Sequence, residues 1–64
     1  ETEIHEDYIE YLYVIKGSCR MYFEEKEESF KEGDLITIPP HINHHAVVTS
    51  AFPMLALVQR QLIA

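Results

Sequence analysis

Two histidines and a glutamate stand at intervals that could bring them together. His5 is followed after four residues by Glu10, and Glu10 after six by Gly17. Further on, Gly33 is followed after five residues by Pro39, and Pro39 after four by His44. Imidazole and carboxylate groups can sit inside a short β-barrel as a hydrogen-bonded pair, or they can carry its chemistry. Which residues share a face follows from strand alternation. Tyr8, Leu12 and Val14 fall on the face of Glu10. His5 lies at odd separation and joins them only if a bulge or bend intervenes within 6–9. Tyr8 and Tyr22 are the candidate ligand-binding aromatics, Tyr8 being placed to close a pocket. Tyr11 and Tyr13, and Tyr22 as well, read as wall or surface aromatics rather than catalytic acids. Cys19 has only Arg20 as a cationic neighbour and reads as a packed thiol.

The elements that must position these residues are short. Sixty-four residues make one domain, 1–64. A chain of this size buries only about 60% of the surface that its unfolded form exposes, so it needs a metal, a partner or a disulfide to be secure. Cys19 is the single cysteine, which excludes an internal disulfide and suggests a reducing, cytoplasmic setting. The first residues already read as part of a structural element, so a longer polypeptide is expected. No signal-peptide pattern or 18-residue apolar run occurs, so no membrane partner is expected. The net charge of −6, with five scattered Lys and Arg, argues against direct nucleic-acid contact by this segment. The acidic run Glu24, Glu25, Glu27 and Glu28 reads as a solvated hairpin tip.

Punctuation divides the chain into runs of strand length. Tyr11–Ile15 is aromatic and β-branched and stops at Gly17. From Ser18 to Glu24, alternation puts Cys19, Met21 and Phe23 on one face and Arg20 and Tyr22 on the other. Ser29–Lys31 is a return strand that leads into the turn pair Gly33-Asp34. Leu35–Ile38 follows and ends at Pro39-Pro40, because proline cannot donate to a sheet ladder. His44–Thr49 is extended, and Met54–Arg60 after Pro53 is a last strand. Its Leu55, Val58 and Leu62 also approach helical spacing, but no clear cap is present. Residues 61–64 remain open between states. Five or six short strands at this rhythm suggest an all-β sandwich or barrel.

The combined spacing resembles the two motifs of the cupins. Glu3 through Gly17 resembles the first motif, with Glu3 where its first His stands. Gly33 through Val48 resembles the second, with His41 in place of a Gly and Val48 in place of an Asn. The resemblance implies an all-β, cupin-type double-stranded β-helix, a small jelly-roll barrel incomplete in this chain. It also implies a divalent transition metal, with Fe, Mn, Zn and Ni all compatible. His5, Glu10 and His44 would be its ligands and Glu3 a fourth. Such an open-sided ion could polarise a substrate oxygen or activate water or dioxygen. His41 and His45 would point away from His44 and lie exposed.

A narrower resemblance runs from His5 to Cys19, and again through 31–35 and 38–40. These stretches look like the N-terminal sensing domain of AraC-type transcription regulators. That resemblance implies a small effector, often a sugar, a homo-oligomer, and a separate helix-turn-helix part absent from this chain. The competing expectation is a stand-alone metal cupin of isomerase or dioxygenase type. A third is a structural or dimerisation barrel in which the His and Glu are remnants.

Overall fold

The computed structural model describes residues 8–63, and these form an all-β structure of six strands. They are β1 (Tyr8–Lys16), β2 (Ser18–Phe23), β3 (Glu27–Lys31), β4 (Leu35–Ile38), β5 (His44–Val48) and β6 (Leu55–Leu62). Two antiparallel three-stranded sheets result, one ordered β4-β1-β6 and the other β3-β2-β5. Each thus has a central strand from the first third of the chain, flanked by strands that arrive later. His5 and Glu3 lie outside the described residues.

The two sheets bury their facing sides against each other. Val14, Ile36 and Ile38 come from the first sheet, and Cys19 and Met21 from the second. Leu12, Phe23, Phe30 and Met54 pack around them, partly buried. The alternation read for 18–24 holds, with Cys19 and Met21 buried and Arg20 exposed between them. Burial pushes the Cys19 thiol pKa up, as a packed rather than a reactive cysteine requires.

Several strands run beyond their apolar stretches. Tyr11–Ile15 is only the middle of β1, which starts at Tyr8 because pairing with β6 continues to Tyr8↔Leu62. A register shift between Val14 and Lys16 marks a bulge near the end of β1. Glu27 and Glu28 are not in the hairpin tip. They open β3 opposite Tyr22 and Met21, because a ladder needs backbone partners rather than apolar side chains. The tip is Glu24-Glu25-Lys26, closed by the hydrogen bond from Phe23 N to Lys26 O (2.8 Å). Glu24 itself falls outside β2, and Thr49 outside β5. The last run is a strand, not a helix. It begins at Leu55 rather than Met54 and extends through Gln61 and Leu62, held by its register with β1.

Two glycines make the turns that bring motif residues into line. Gly17 (φ +89°) separates β1 from β2, and Gly33 (φ +88°) follows β3. The Gly33 turn docks on β1, since Gly33 N donates to Val14 O (2.9 Å) and Val14 N to Asp34 O (3.0 Å). Asp34 Oδ2 accepts from Lys31 N at 2.8 Å and closes the same turn. A Cβ at Gly17 would lie 2.9 Å from Ser50 Oγ and 3.0 Å from Met54 Cα, whereas one at Gly33 would meet open space. Both replacements carry the backbone cost of positive φ, about 1 kcal/mol or more. Gly17→Ala adds a collision with backbone. It should therefore shift a urea unfolding midpoint clearly further than Gly33→Ala, and equal shifts would mean that the β5–β6 connection is not seated on Gly17.

Candidate functional site

Among the described residues, Glu10 and His44 are the buried polar ones, 9% and 6% exposed. They come from different sheets. Glu10 lies on central strand β1, opposite Ile38 of β4 and Arg60 of β6. His44 opens β5, with Phe23 of β2 as its Cα partner. Alternation puts Glu10 on the same side of β1 as Leu12 and Val14, and His44 on the side of Phe23 and Met21. Both side chains therefore turn to the inner faces of their sheets, which is the arrangement expected for them.

The chain entering β5 is shaped by the second motif's turn. His41, where the motif has glycine, takes a φ of +65°, the left-handed region that favours glycine. Two residues on, the Ile42 carbonyl accepts a hydrogen bond from His44 Nδ1 at 2.9 Å. A carbonyl can only accept, so the proton of a neutral ring sits on Nδ1 and the lone pair on Nε2. A metal-binding imidazole is commonly oriented in this way by a bond from its other nitrogen.

Glu10 has a partner that sequence reasoning missed. Arg60 Nη2 lies 3.4 Å from Glu10 Oε2, with the glutamate side chain 11% and the arginine 58% exposed. The guanidinium also lies over the Tyr8 ring, 5.3 Å from its centre. Tyr8, Glu10 and Arg60 thus form a cluster at the edge of the sandwich, running from a buried carboxylate to a solvated cation. Only the register of β6 on β1 makes this cluster, and a separation of fifty residues gives no local signal for it. Tyr8, at the start of β1, lies where the reading of Glu10's face puts it.

The remaining candidates lie elsewhere. Tyr22 occupies the outer face of β2 and stacks on His45, ring centres 4.8 Å apart and planes within 10°. His45 points away from His44 as expected, but the stack leaves it half-buried rather than exposed; His41 is exposed. An apolar cavity of about 300 Å³ opens between the β3 and β4 sides, lined among others by Phe23, Phe30, Ile36, Pro39 and Ile42. The paired side chains of Lys26 and Glu28 (3.2 Å) stand at its rim. Through Phe23 and Ile42 it reaches the strand pair that carries His44.

Residues 1–59 match the family model described as "Cupin domain". The chain belongs to the cupin family. The two-sheet, all-β architecture agrees with a small jelly roll that is incomplete in 64 residues. Searches of curated proteins and of solved structures returned no match.

Cupin domains often hold a metal, and the donor chemistry of Glu10 and His44 suits one. Among the described residues no group of three or more His, Cys, Asp or Glu side chains is placed to hold an ion. In a metal-bound cupin of this sequence, Glu10 and the oriented Nε2 of His44 would supply two ligands. His5 and Glu3 would have to supply the others. The arrangement gives a direct expectation. If the ion is held this way, His44→Ala should weaken Mn2+ or Zn2+ affinity about tenfold or more, measured by competition with a chromogenic chelator. His45→Ala, which removes only the outer-face stack, should leave it unchanged. Equal losses would contradict the assignment of His44 as the inward histidine.

Proposed function

We propose that this cupin domain senses a small molecule, as the N-terminal part of an AraC-type transcription regulator, and that DNA is bound by a separate helix-turn-helix part. The observation that carries the reading is the Glu10–Arg60–Tyr8 cluster on the β1–β6 pair. Arg60 already offers Glu10 a counter-charge. The cluster also presents guanidinium donors, carboxylate acceptors and a flat aromatic face at the edge of an apolar interior. Those are the groups that recognise a neutral polyhydroxylated ligand such as a monosaccharide. Hydroxyls would exchange hydrogen bonds with Glu10 and Arg60, and an apolar sugar face would lie against Tyr8. The net charge of −6 further favours neutral or cationic effectors over anionic ones. The motif resemblance over 5–19 and 31–40 supports the regulator over other cupins.

A second reading, a divalent-metal cupin enzyme of isomerase or dioxygenase type, draws on one specific observation. The Nδ1 bond of His44 to the Ile42 carbonyl orients Nε2 as in a ligating imidazole. A bound ion would supply Lewis acidity or redox chemistry. His44 and Glu10 would fix its position, and the apolar residues behind them would limit the access of water.

The two readings separate in one experiment. The protein is purified without a chelator or affinity tag and its metal content measured. Its thermal unfolding is then followed with a panel of neutral pentoses and hexoses, with and without EDTA. A sensing domain predicts that at least one sugar raises the midpoint, that EDTA leaves the effect intact, and that Arg60→Ala removes it. At a hundredfold excess over Kd the gain should be about 2.7 kcal/mol. Near one equivalent of transition metal, lost in His44→Ala, with no sugar effect, would overturn the sensing assignment in favour of the enzyme.

A further inference from the structure

Among the described residues, β3 and β4 are end strands of their sheets, each paired on one edge only. The cavity of about 300 Å³ opens between them. Its walls are Phe23 and Phe30 of the β2–β3 hairpin, Leu35 and Ile36 of β4, and Pro39 and Ile42 beyond β4. None of Tyr8, Glu10, His44 and Arg60 lines it, and β6, which carries Arg60, is at the opposite end of the β4-β1-β6 sheet. Glu28 brings a charge to this hollow. Its Cα partner is the buried Met21, and residues opposite each other in a ladder project to one face, so the Glu28 side chain leaves β3 on the core side. Lys26 Nζ lies 3.2 Å from the Glu28 carboxylate and 5.8 Å from the centre of the Phe23 ring. The rim thus carries a cation and an anion side by side above aromatic and aliphatic walls. The two side chains are 68% and 49% exposed, so their mutual attraction is weak and the pair opens readily.

We propose that this cavity binds a free apolar α-amino acid of the leucine or phenylalanine type, with its side chain in the hollow and its zwitterionic head group on the Lys26–Glu28 pair. Three features select that occupant. The walls are apolar, so the hydroxyls of a sugar would be buried there without partners. The volume is at the lower end of the range for small-molecule sites, which suits one branched or aromatic side chain and not a cofactor. The rim then decides the head group. A simple carboxylate would set its charge beside Glu28 in a chain of net charge −6, and a simple amine would set its charge beside Lys26. A zwitterion meets both, its carboxylate accepting from Lys26 Nζ and its ammonium donating to Glu28, so that each of the four charges adjoins an opposite one. Thr37, also on the wall, offers a hydroxyl to the same head group. The site uses no residue of the Glu10–Arg60–Tyr8 cluster, so it stands whether the interior takes a sugar or a metal.

Methyl proton–carbon NMR tests it, with L-leucine and L-phenylalanine each titrated to about 10 mM. At least one of them should shift the Ile36 and Ile42 methyl signals to saturation and leave those of the exposed Val47 in place. Isocaproate and isoamylamine, which are leucine without its ammonium and without its carboxylate, should each bind about tenfold or more weakly. Lys26→Met and Glu28→Gln should weaken amino-acid binding to a similar degree, with far-UV circular dichroism to confirm folding. Lys31→Met, which removes an exposed cation from the outer face of β3, should bind as the wild type does. No saturable shift with either amino acid overturns the proposal and leaves Lys26 and Glu28 as charges guarding two strand edges. Equal affinity for leucine and isocaproate also overturns it, because the apolar walls alone would then account for binding. So do shifts centred on Val47, which would place the ligand elsewhere. Should either variant misfold, the comparison of leucine with its two analogues on the wild type decides the matter.

Discussion

Strand β1 is bonded on both edges, to β4 on one side and β6 on the other, and the setting of Glu10 follows from that double pairing. The register sets Glu10 between Ile38 and Arg60, so one neighbour seals the carboxylate from water and the other offers it a positive charge. Two residues later Leu12 turns to the same interior, and Val14 after it is fully buried. A one-residue slip of β6 would turn Arg60 to the outer face and bring Gln59 or Gln61 opposite Glu10. The burial of Glu10 depends on this register, because a carboxylate without a counter-charge or hydrogen bonds is costly inside a thin apolar sandwich.

The second sheet brings the other half of the site under a different constraint. β5 follows a left-handed turn at His41, and the Ile42 carbonyl fixes the ring of His44. The two inward polar side chains thus have independent supports, one from cross-strand register and one from a local turn. Between them lies a core too small to isolate the site completely, and the apolar cavity beside Phe23 and Ile42 opens to solvent. A small domain with a partly open interior is suited to admitting a ligand, and ligand binding in turn adds stability that its own core lacks.

Much of this was legible in the sequence because the signals were local. Gly17 marked the end of a strand and Gly33-Asp34 a turn, Pro39-Pro40 ended β4, and alternation from Cys19 to Phe23 identified the buried face of β2. The motif spacing placed Glu10 and His44 on inner faces without any knowledge of their neighbours. What escaped was long-range. Glu27 and Glu28 looked like loop residues because their side chains are charged, although β3 holds them through its backbone. Arg60 was one of five scattered cations in the sequence, and only the register of β6 set it opposite Glu10. His45 looked solvated, and only the β2–β5 pairing showed that Tyr22 stacks on it. Side-chain polarity reports where water is, whereas the ladder reports which strands meet.

The most direct test of the interior site is the state of the His44 ring. Its nitrogens can be observed by long-range proton–nitrogen correlation NMR, with His44→Gln providing the assignment. The account predicts a proton on Nδ1, as its bond to the Ile42 carbonyl requires. It also predicts that the Nε2 signal of His44 moves when a sugar or Zn2+ binds, while the nitrogens of His45 stay in place. A His44 ring with no proton on Nδ1, or a response confined to His45, would contradict it.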